Sequence, residues 1–141
     1  SSDGKREGYE IFKERINNNS WPIYNKTPQS INIQEGKNVL FYIAGTNNFS
    51  QNFIARASIS NIINQKTTTV DPNQEFKQVL FSVQFKDINY FEKPLNIKEH
   101  INNLSFIEPD KRKIYGLYFQ GGVCKINKQS YDYIINNTSK N

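Results

Sequence analysis

The chain has 141 residues, a length that suits one domain with a sizeable core. Only 36% of the residues are hydrophobic, but 10 Phe and 8 Tyr supply enough apolar area for a packed core, which excludes a disordered chain. A single Cys excludes an internal disulfide, and one Cys with one His excludes the usual zinc sites, so we expect a cytoplasmic protein without metal or cofactor.

The net charge of +5 favours a polyanionic partner, because Lys and Arg on one face release counterions from phosphates. No apolar run approaches the ~18 residues of a membrane span, so we expect no membrane partner. The chain contains no Met. We therefore expect a trimmed product, from which a first strand could have been removed.

The first half of the chain contains one helical pattern followed by extended segments. Tyr9, Phe12 and Ile16 recur at spacings of three and four, which predicts an amphipathic helix over residues 5–17. Residues 21–24 are expected to be extended, because Pro22 keeps the preceding residue out of the helical region. Residues 31–33 alternate briefly between apolar and polar side chains, like the end of a strand.

Two strong strand patterns follow in close succession. Residues 38–44 are almost wholly apolar, and residues 52–63 place Phe53, Ala55, Ala57 and Ile59 at period two. A short polar segment separates them. We expect the two strands to pair as a hairpin.

The second half alternates between strand and helix patterns. Residues 78–88 alternate apolar and polar side chains, residues 91–97 are extended, and residues 98–104 form a short helix. A further strand is predicted over residues 114–120, bent by two Gly and continued over residues 123–126. Asn127 is a suitable cap for a final helix. One domain over residues 1–141 is expected, of class α+β, with a strongly curved mixed sheet or small barrel and short flanking helices.

Three short motifs give the chain a family resemblance. They are Trp21, the run EGKNVLFY at residues 35–42, and the run FIARA at residues 53–57. In this order they resemble the EVE domains, which are related to YTH domains within the PUA-like barrels. The run FQGGVCKI at residues 119–126, ahead of Asp132 and Ile135, resembles the end of an EVE domain.

The resemblance implies a PUA-like fold and a domain that binds DNA or RNA by holding a modified, methylated base in an aromatic pocket. Trp21 and Tyr42 are the implied pocket walls, although a core position for Trp21 is the alternative. Four polar side chains are candidates for the edge of the base: Asn19, Ser20, Asn47 and Gln120. Pro22 has no N–H to donate, so the modified-adenine contacts of YTH domains are not preserved and an EVE-type reader is the better match.

Phosphate contacts are expected from basic residues around the pocket mouth. These residues are Lys5, Arg6, Lys26, Lys37, Arg56, Lys111, Arg112 and Lys113. Lys37 stands where the family commonly has Asp. The run at residues 111–113 has a plainer interpretation as a solvated loop.

The chain offers little material for catalysis. It has no nucleophile elbow and no phosphate loop, and we expect His100 to be a surface or satisfied residue and Cys124 to be a small buried one. The sequence therefore predicts a reader and not an enzyme. The alternatives are a small-molecule or protein-interaction module on the same barrel and, third, an enzyme with two buried carboxylates. Whether the nucleic acid is DNA or RNA, which base modification is read and the oligomeric state stay open.

Overall fold

The computed structural model describes residues 8–24, 27, 30–45, 49–64, 79–119 and 122–138. This part of the chain forms three α-helices, α1 (Gly8–Asn17), α2 (Ile97–His100) and α3 (Lys128–Thr138), and four strands, β1 (Trp21–Tyr24), β2 (Asn38–Ile43), β3 (Asn52–Asn64) and β4 (Val79–Asn96). Short 3₁₀ segments lie at Ser30–Asn32, Ile101–Asn103 and Pro109–Phe119. We call the last of these the kinked segment.

The four strands form one antiparallel sheet in the order β1-β4-β3-β2. The predicted hairpin between β2 and β3 is confirmed. The two extended segments predicted on either side of residue 90 are one strand, β4. The sheet curls into a half-barrel with short helices, which confirms the α+β class and is consistent with the expected PUA-like fold.

A β-bulge at Ile54 bends the middle of the sheet. Phe41 pairs with Ala55 while Tyr42 pairs with Phe53, so Ile54 is an extra residue in β3. The β4 side is irregular at the same level, because Phe53 pairs with Leu95 and Ala55 pairs with Tyr90. Bulges increase the twist and bend a strand, which accounts for the curl.

Each face of the sheet carries its own core. The α1-side cluster comprises Phe12, Phe41, Ile43, Ile54, Ala55 and Ala57, with Trp21 and Phe85 packed against it. The α3-side cluster comprises Phe53, Leu95, Ile97, Leu104, Ile107 and Ile134, with Tyr42 and Phe119 packed against it. Successive side chains of a strand point to opposite faces, so neighbouring residues of β2 belong to different cores.

Two strand predictions are wrong. Ile31 lies in a 3₁₀ turn and is 84% exposed. Residues 114–119 belong to the kinked segment, which has non-helical dihedral angles at Ile114. Its aromatic residues Tyr115 and Tyr118 are three positions apart and both pack on the α3-side cluster, a period that suits a 3₁₀ turn better than a strand. Residues 123–126 pair with no strand in the described part of the chain.

The helix predictions are confirmed where the structure describes them. α1 is helical from Gly8, and residues 5–7 lie outside the described residues. Asn127 Oδ1 accepts a hydrogen bond from Ser130 N at 2.9 Å, the geometry of an N-cap. Within the described ranges, none of the helices is both long and apolar enough to cross a membrane.

The packing of α3 gives a first prediction. Ile134 is 0% exposed in the α3-side cluster, so Ile134→Ala leaves a cavity and should lower the free energy of unfolding by about 2–5 kcal/mol. Ile31→Ala removes the same atoms from an exposed site and should change the free energy of unfolding by less than about 0.5 kcal/mol. Urea denaturation followed by circular dichroism measures both values. Equal effects of the two changes would contradict the placement of α3.

Candidate functional site

Trp21 is a half-buried member of the core. Its ring lies 5.3 Å from the Phe41 ring and contacts Phe85 edge-on at 6.0 Å between centroids. The guanidinium carbon of Arg15 lies 5.0 Å from the centre of the Trp21 ring, a cation–π distance. Trp21 therefore joins β1 to the α1-side cluster and carries a cation over its ring.

Three aromatic side chains extend this cluster to the surface. We call Tyr9, Phe49 and Tyr90 the aromatic edge. The rings of Tyr9 and Phe49 lie 4.6 Å apart and are tilted by 45°, and the Tyr90 ring contacts buried Phe12 edge-on at 6.1 Å. Phe49 is 50% exposed and Tyr90 is 55% exposed, so both present aromatic surface to solvent.

Local geometry fixes the aromatic edge. Lys13 follows Tyr9 by one helical turn, which places its Nζ 4.8 Å from the centre of the Tyr9 ring. Phe49 has φ of 60°, a left-handed conformation that bulky residues rarely adopt. Asn52 Nδ2 donates to the carbonyl oxygens of Phe49 and Ser50 and holds this turn. Unfavourable backbone conformations are often kept at functional sites.

Tyr90 adds a hydrogen-bond donor to the aromatic edge. Burial, and to a lesser degree the neighbouring Tyr9, raises the pKa of Tyr90 above its ordinary value of 10.0. The hydroxyl is therefore protonated at neutral pH and able to donate. Aromatic faces, cations and a phenolic donor together form a surface on which a planar base can stack.

Tyr42 lies on the other face of the sheet. Its ring stacks on Phe119 with 4.0 Å between centroids and 12° between planes. Its hydroxyl donates to Gln51 Oε1 at 3.0 Å, and the Tyr115 hydroxyl donates to the same oxygen. Since Tyr42 belongs to the α3-side cluster and Trp21 to the α1-side cluster, the structure does not bring the two expected pocket walls together.

The four polar candidates for the base edge have different placements. Asn19 lies in the turn before β1, and its Oδ1 accepts a hydrogen bond from Phe85 N at 2.9 Å. This bond ties the start of β1 to β4 beside Trp21. Ser20 is exposed, and Asn47 and Gln120 lie outside the described residues.

The candidate phosphate contacts lie on separate elements. Lys37 is exposed in the turn before β2, and Arg56 is exposed in β3. Lys111, Arg112 and Lys113 lie in the kinked segment, where Glu108 forms an ion pair with Lys111 at 3.0 Å and raises the pKa of Lys111 mainly by hydrogen bonding. Lys5, Arg6 and Lys26 are outside the described residues. Two cations that the sequence argument missed, Lys13 and Arg15, lie over the rings of Tyr9 and Trp21.

The single His is hydrogen-bonded, and the single Cys is partly buried. His100 Nδ1 is 2.7 Å from the Tyr133 hydroxyl, as expected for a satisfied histidine. Cys124 is half-buried and not fully buried as expected, and burial raises the pKa of its thiol. Among the described residues, no group of three or more His, Cys, Asp or Glu has a geometry that could hold a metal ion.

The environment of Tyr42 predicts how the stability of the folded protein depends on pH. Burial, followed by the neighbouring Tyr115, raises the pKa of Tyr42 above its ordinary value of 10.0. A raised pKa in the folded state contributes stability in full below about pH 10, and this stability is lost as the pH rises further. Tyr42→Phe should therefore lose stability less steeply than the parent between about pH 9 and 11, measured by urea denaturation at each pH. Parallel losses in the two proteins would contradict this environment.

Comparison with known proteins connects this geometry to a family. No curated protein matches the chain. The model of the EVE domain family matches residues 5–137, which is nearly the whole chain and includes Trp21, the β2–β3 hairpin and α3. Membership of this family suggests a PUA-like domain that binds RNA or DNA. The chain belongs to the EVE domain family.

Proposed function

We propose that this EVE domain is a reader that binds DNA or RNA and accommodates a modified base against the aromatic edge and Trp21. The observation that supports the proposal best is the aromatic edge, in which the half-exposed rings of Phe49 and Tyr90 and the partly buried ring of Tyr9 are continuous with a buried aromatic core. Two cations lie over rings of the same cluster, Lys13 over Tyr9 and Arg15 over Trp21.

Stacking supplies the affinity in this proposal. A base stacked on an aromatic side chain contributes about 1–3 kcal/mol, and every base has a suitable face. Lys13 and Arg15 add attraction to the phosphates that flank the stacked base. The Tyr90 hydroxyl is protonated at neutral pH and supplies a donor to the rim of the base.

A methylated base gains more from this surface than an unmodified one. Moving one methyl group from water onto aromatic side chains is worth about 0.8 kcal/mol, or about a fourfold preference. Where the methyl group is on an exocyclic amine, as in one form of methyladenine, it also replaces an N–H, so the unmodified base leaves a hydrogen-bonding group against an apolar wall. That cost increases the preference.

A binding role fits these groups better than a catalytic one. The aromatic edge contributes three rings, two of them phenols, and a neighbouring cation, groups that suit stacking and attraction of a phosphate. A protein-interaction or small-molecule module could use the same aromatic surface. Salt distinguishes these alternatives, because nucleic-acid affinity falls steeply as the salt concentration rises.

Removing one ring of the aromatic edge should weaken binding. Tyr90→Ala and Phe49→Ala should each reduce the affinity for a short single-stranded oligonucleotide with a methylated base by about tenfold, because each change removes a stacking surface. Fluorescence anisotropy of a labelled oligonucleotide measures the affinity, and DNA and RNA versions carrying methylcytosine or methyladenine form the panel.

The control is Leu117→Ala, which removes an equally exposed apolar side chain from the kinked segment and should change the affinity by less than about twofold. Unchanged binding by the two edge variants would contradict the interface. Equal binding of methylated and unmodified oligonucleotides would contradict the reading of a modified base but leave nucleic-acid binding intact. Binding that is insensitive to salt would favour the alternative module.

A further inference from the structure

A polar cleft lies on the α3 side of the molecule, away from the aromatic edge. It has a volume of about 350 Å³, near the lower end of the size range of small-molecule sites. Three segments converge on it: the Ile101–Asn103 turn, the kinked segment and α3. Its lining consists of Asn102, Asn103, Ser105, Ile107, Pro109, Arg112, Gln129 and Tyr133.

Arg112 has unused hydrogen-bonding capacity in this cleft. Its Nε is buried and has no hydrogen-bond partner among the described residues. One terminal nitrogen, Nη2, donates to the Asn102 carbonyl oxygen at a long distance of 3.4 Å. Because the Nε atom is enclosed, a ligand reaches the guanidinium through its terminal nitrogens, and the single long hydrogen bond of Nη2 leaves N–H donors there.

The charge around Arg112 favours an anion. Arg112 is the one charged residue of the cleft lining, among the residues that the structure describes. Glu108, four positions earlier, forms its ion pair with Lys111 instead. Lys113 follows Arg112 in the chain and is exposed, but it does not line the cleft.

Hydrogen bonds hold the other polar groups of the lining in place. Asn103 Nδ2 donates to the Tyr133 hydroxyl oxygen at 3.1 Å, and that oxygen is also 2.7 Å from His100 Nδ1. On the opposite side, Ser105 Oγ donates to Gln129 Oε1 at 3.1 Å. Gln129 and Tyr133 are one turn apart on α3, so both point to the same side of the helix. The cleft is therefore held in shape before a ligand enters.

We propose that this cleft binds a phosphate ester about as large as a mononucleotide, with the phosphoryl oxygens on the Arg112 guanidinium. Guanidinium groups bind phosphate through paired N–H donors, which the terminal nitrogens of Arg112 provide. The side-chain amides of Asn102 and Gln129 can contact the attached sugar or base, and Ile107 and Pro109 provide an apolar wall. The proposal does not rest on base reading, because the cleft lies against the other core.

Arginine-selective ¹⁵N NMR reports directly on the Arg112 Nε–H. Titration with uridine monophosphate should shift this signal saturably, whereas uridine, which has no phosphate, should not. Inorganic phosphate should shift it more weakly. No saturable shift with uridine monophosphate, or an equal shift with uridine, would overturn the proposal.

Two matched variants test the role of the guanidinium. Arg112→Gln should weaken binding of uridine monophosphate by about tenfold, whereas Lys113→Gln, an exposed neighbour, should weaken it by less than about twofold. Isothermal titration calorimetry measures both. The Tyr133 NMR signals show whether Arg112→Gln keeps the cleft intact. Parent-like binding by Arg112→Gln would overturn the proposal.

A competition experiment identifies the source of the phosphate. If a short oligonucleotide displaces uridine monophosphate from Arg112, the cleft holds a backbone phosphate of bound nucleic acid. If both bind at once, it holds a free nucleotide. Either result supports a phosphate site. Loss of oligonucleotide binding in Tyr90→Ala with unchanged binding of uridine monophosphate would show that the two sites are separate.

Discussion

The contact on which the α1 side of the molecule depends is the aromatic packing around Phe41. This buried ring lies 5.1 Å from Phe12, 5.3 Å from Trp21 and 5.1 Å from Phe85. The four rings come from α1, β1, β2 and β4, so one residue of the sheet joins most of the elements on this face. Each aromatic pair adds about 0.5–1.5 kcal/mol beyond the area that it buries. The exposed rings of the aromatic edge are positioned because they continue this packing outward.

The bulge at Ile54 is the second feature on which the fold depends, because it curls the sheet and supports two separate cores. Phe41 faces α1, and its neighbour Tyr42 faces α3 and stacks on Phe119. One face thus ends in an exposed aromatic surface, and the other is covered by the kinked segment and α3. The covered face contains the polar cleft with Arg112. The two surfaces differ in chemistry, since exposed aromatic rings form one and mostly polar side chains, with Arg112, line the other.

Sequence reasoning succeeded where local pattern determines structure. The period of α1, the alternation of β3 beyond the bulge and the cap at Asn127 were predictable because each depends on neighbours in the chain. It failed at the kinked segment, where an apolar, aromatic run resembles a strand but packs with a period of three. Tertiary contact with the α3-side core decides that conformation, and no local signal indicates it.

The candidate site was harder to predict than the fold. Trp21 and Tyr42 were paired by family position, but residues on opposite faces of a sheet cannot form one pocket without rearrangement. Phe49 and Tyr90 are far apart in the sequence and meet the α1-side cluster only through the β2–β3 turn and β4. The one sequence signal for this surface was Phe49, an aromatic residue in an otherwise polar segment. Lys13 and Arg15 looked like ordinary surface charges of a helix.

Photo-crosslinking tests the central claim most directly, because it maps the base without altering the protein. A short oligonucleotide with 5-iodouracil beside a methylated base is irradiated in complex with the domain, and the crosslinked peptides are identified by mass spectrometry. We expect crosslinks at Tyr9, Phe49 or Tyr90, since the base stacks on these rings. Crosslinks confined to the kinked segment and α3 would contradict the aromatic edge as the base-binding surface.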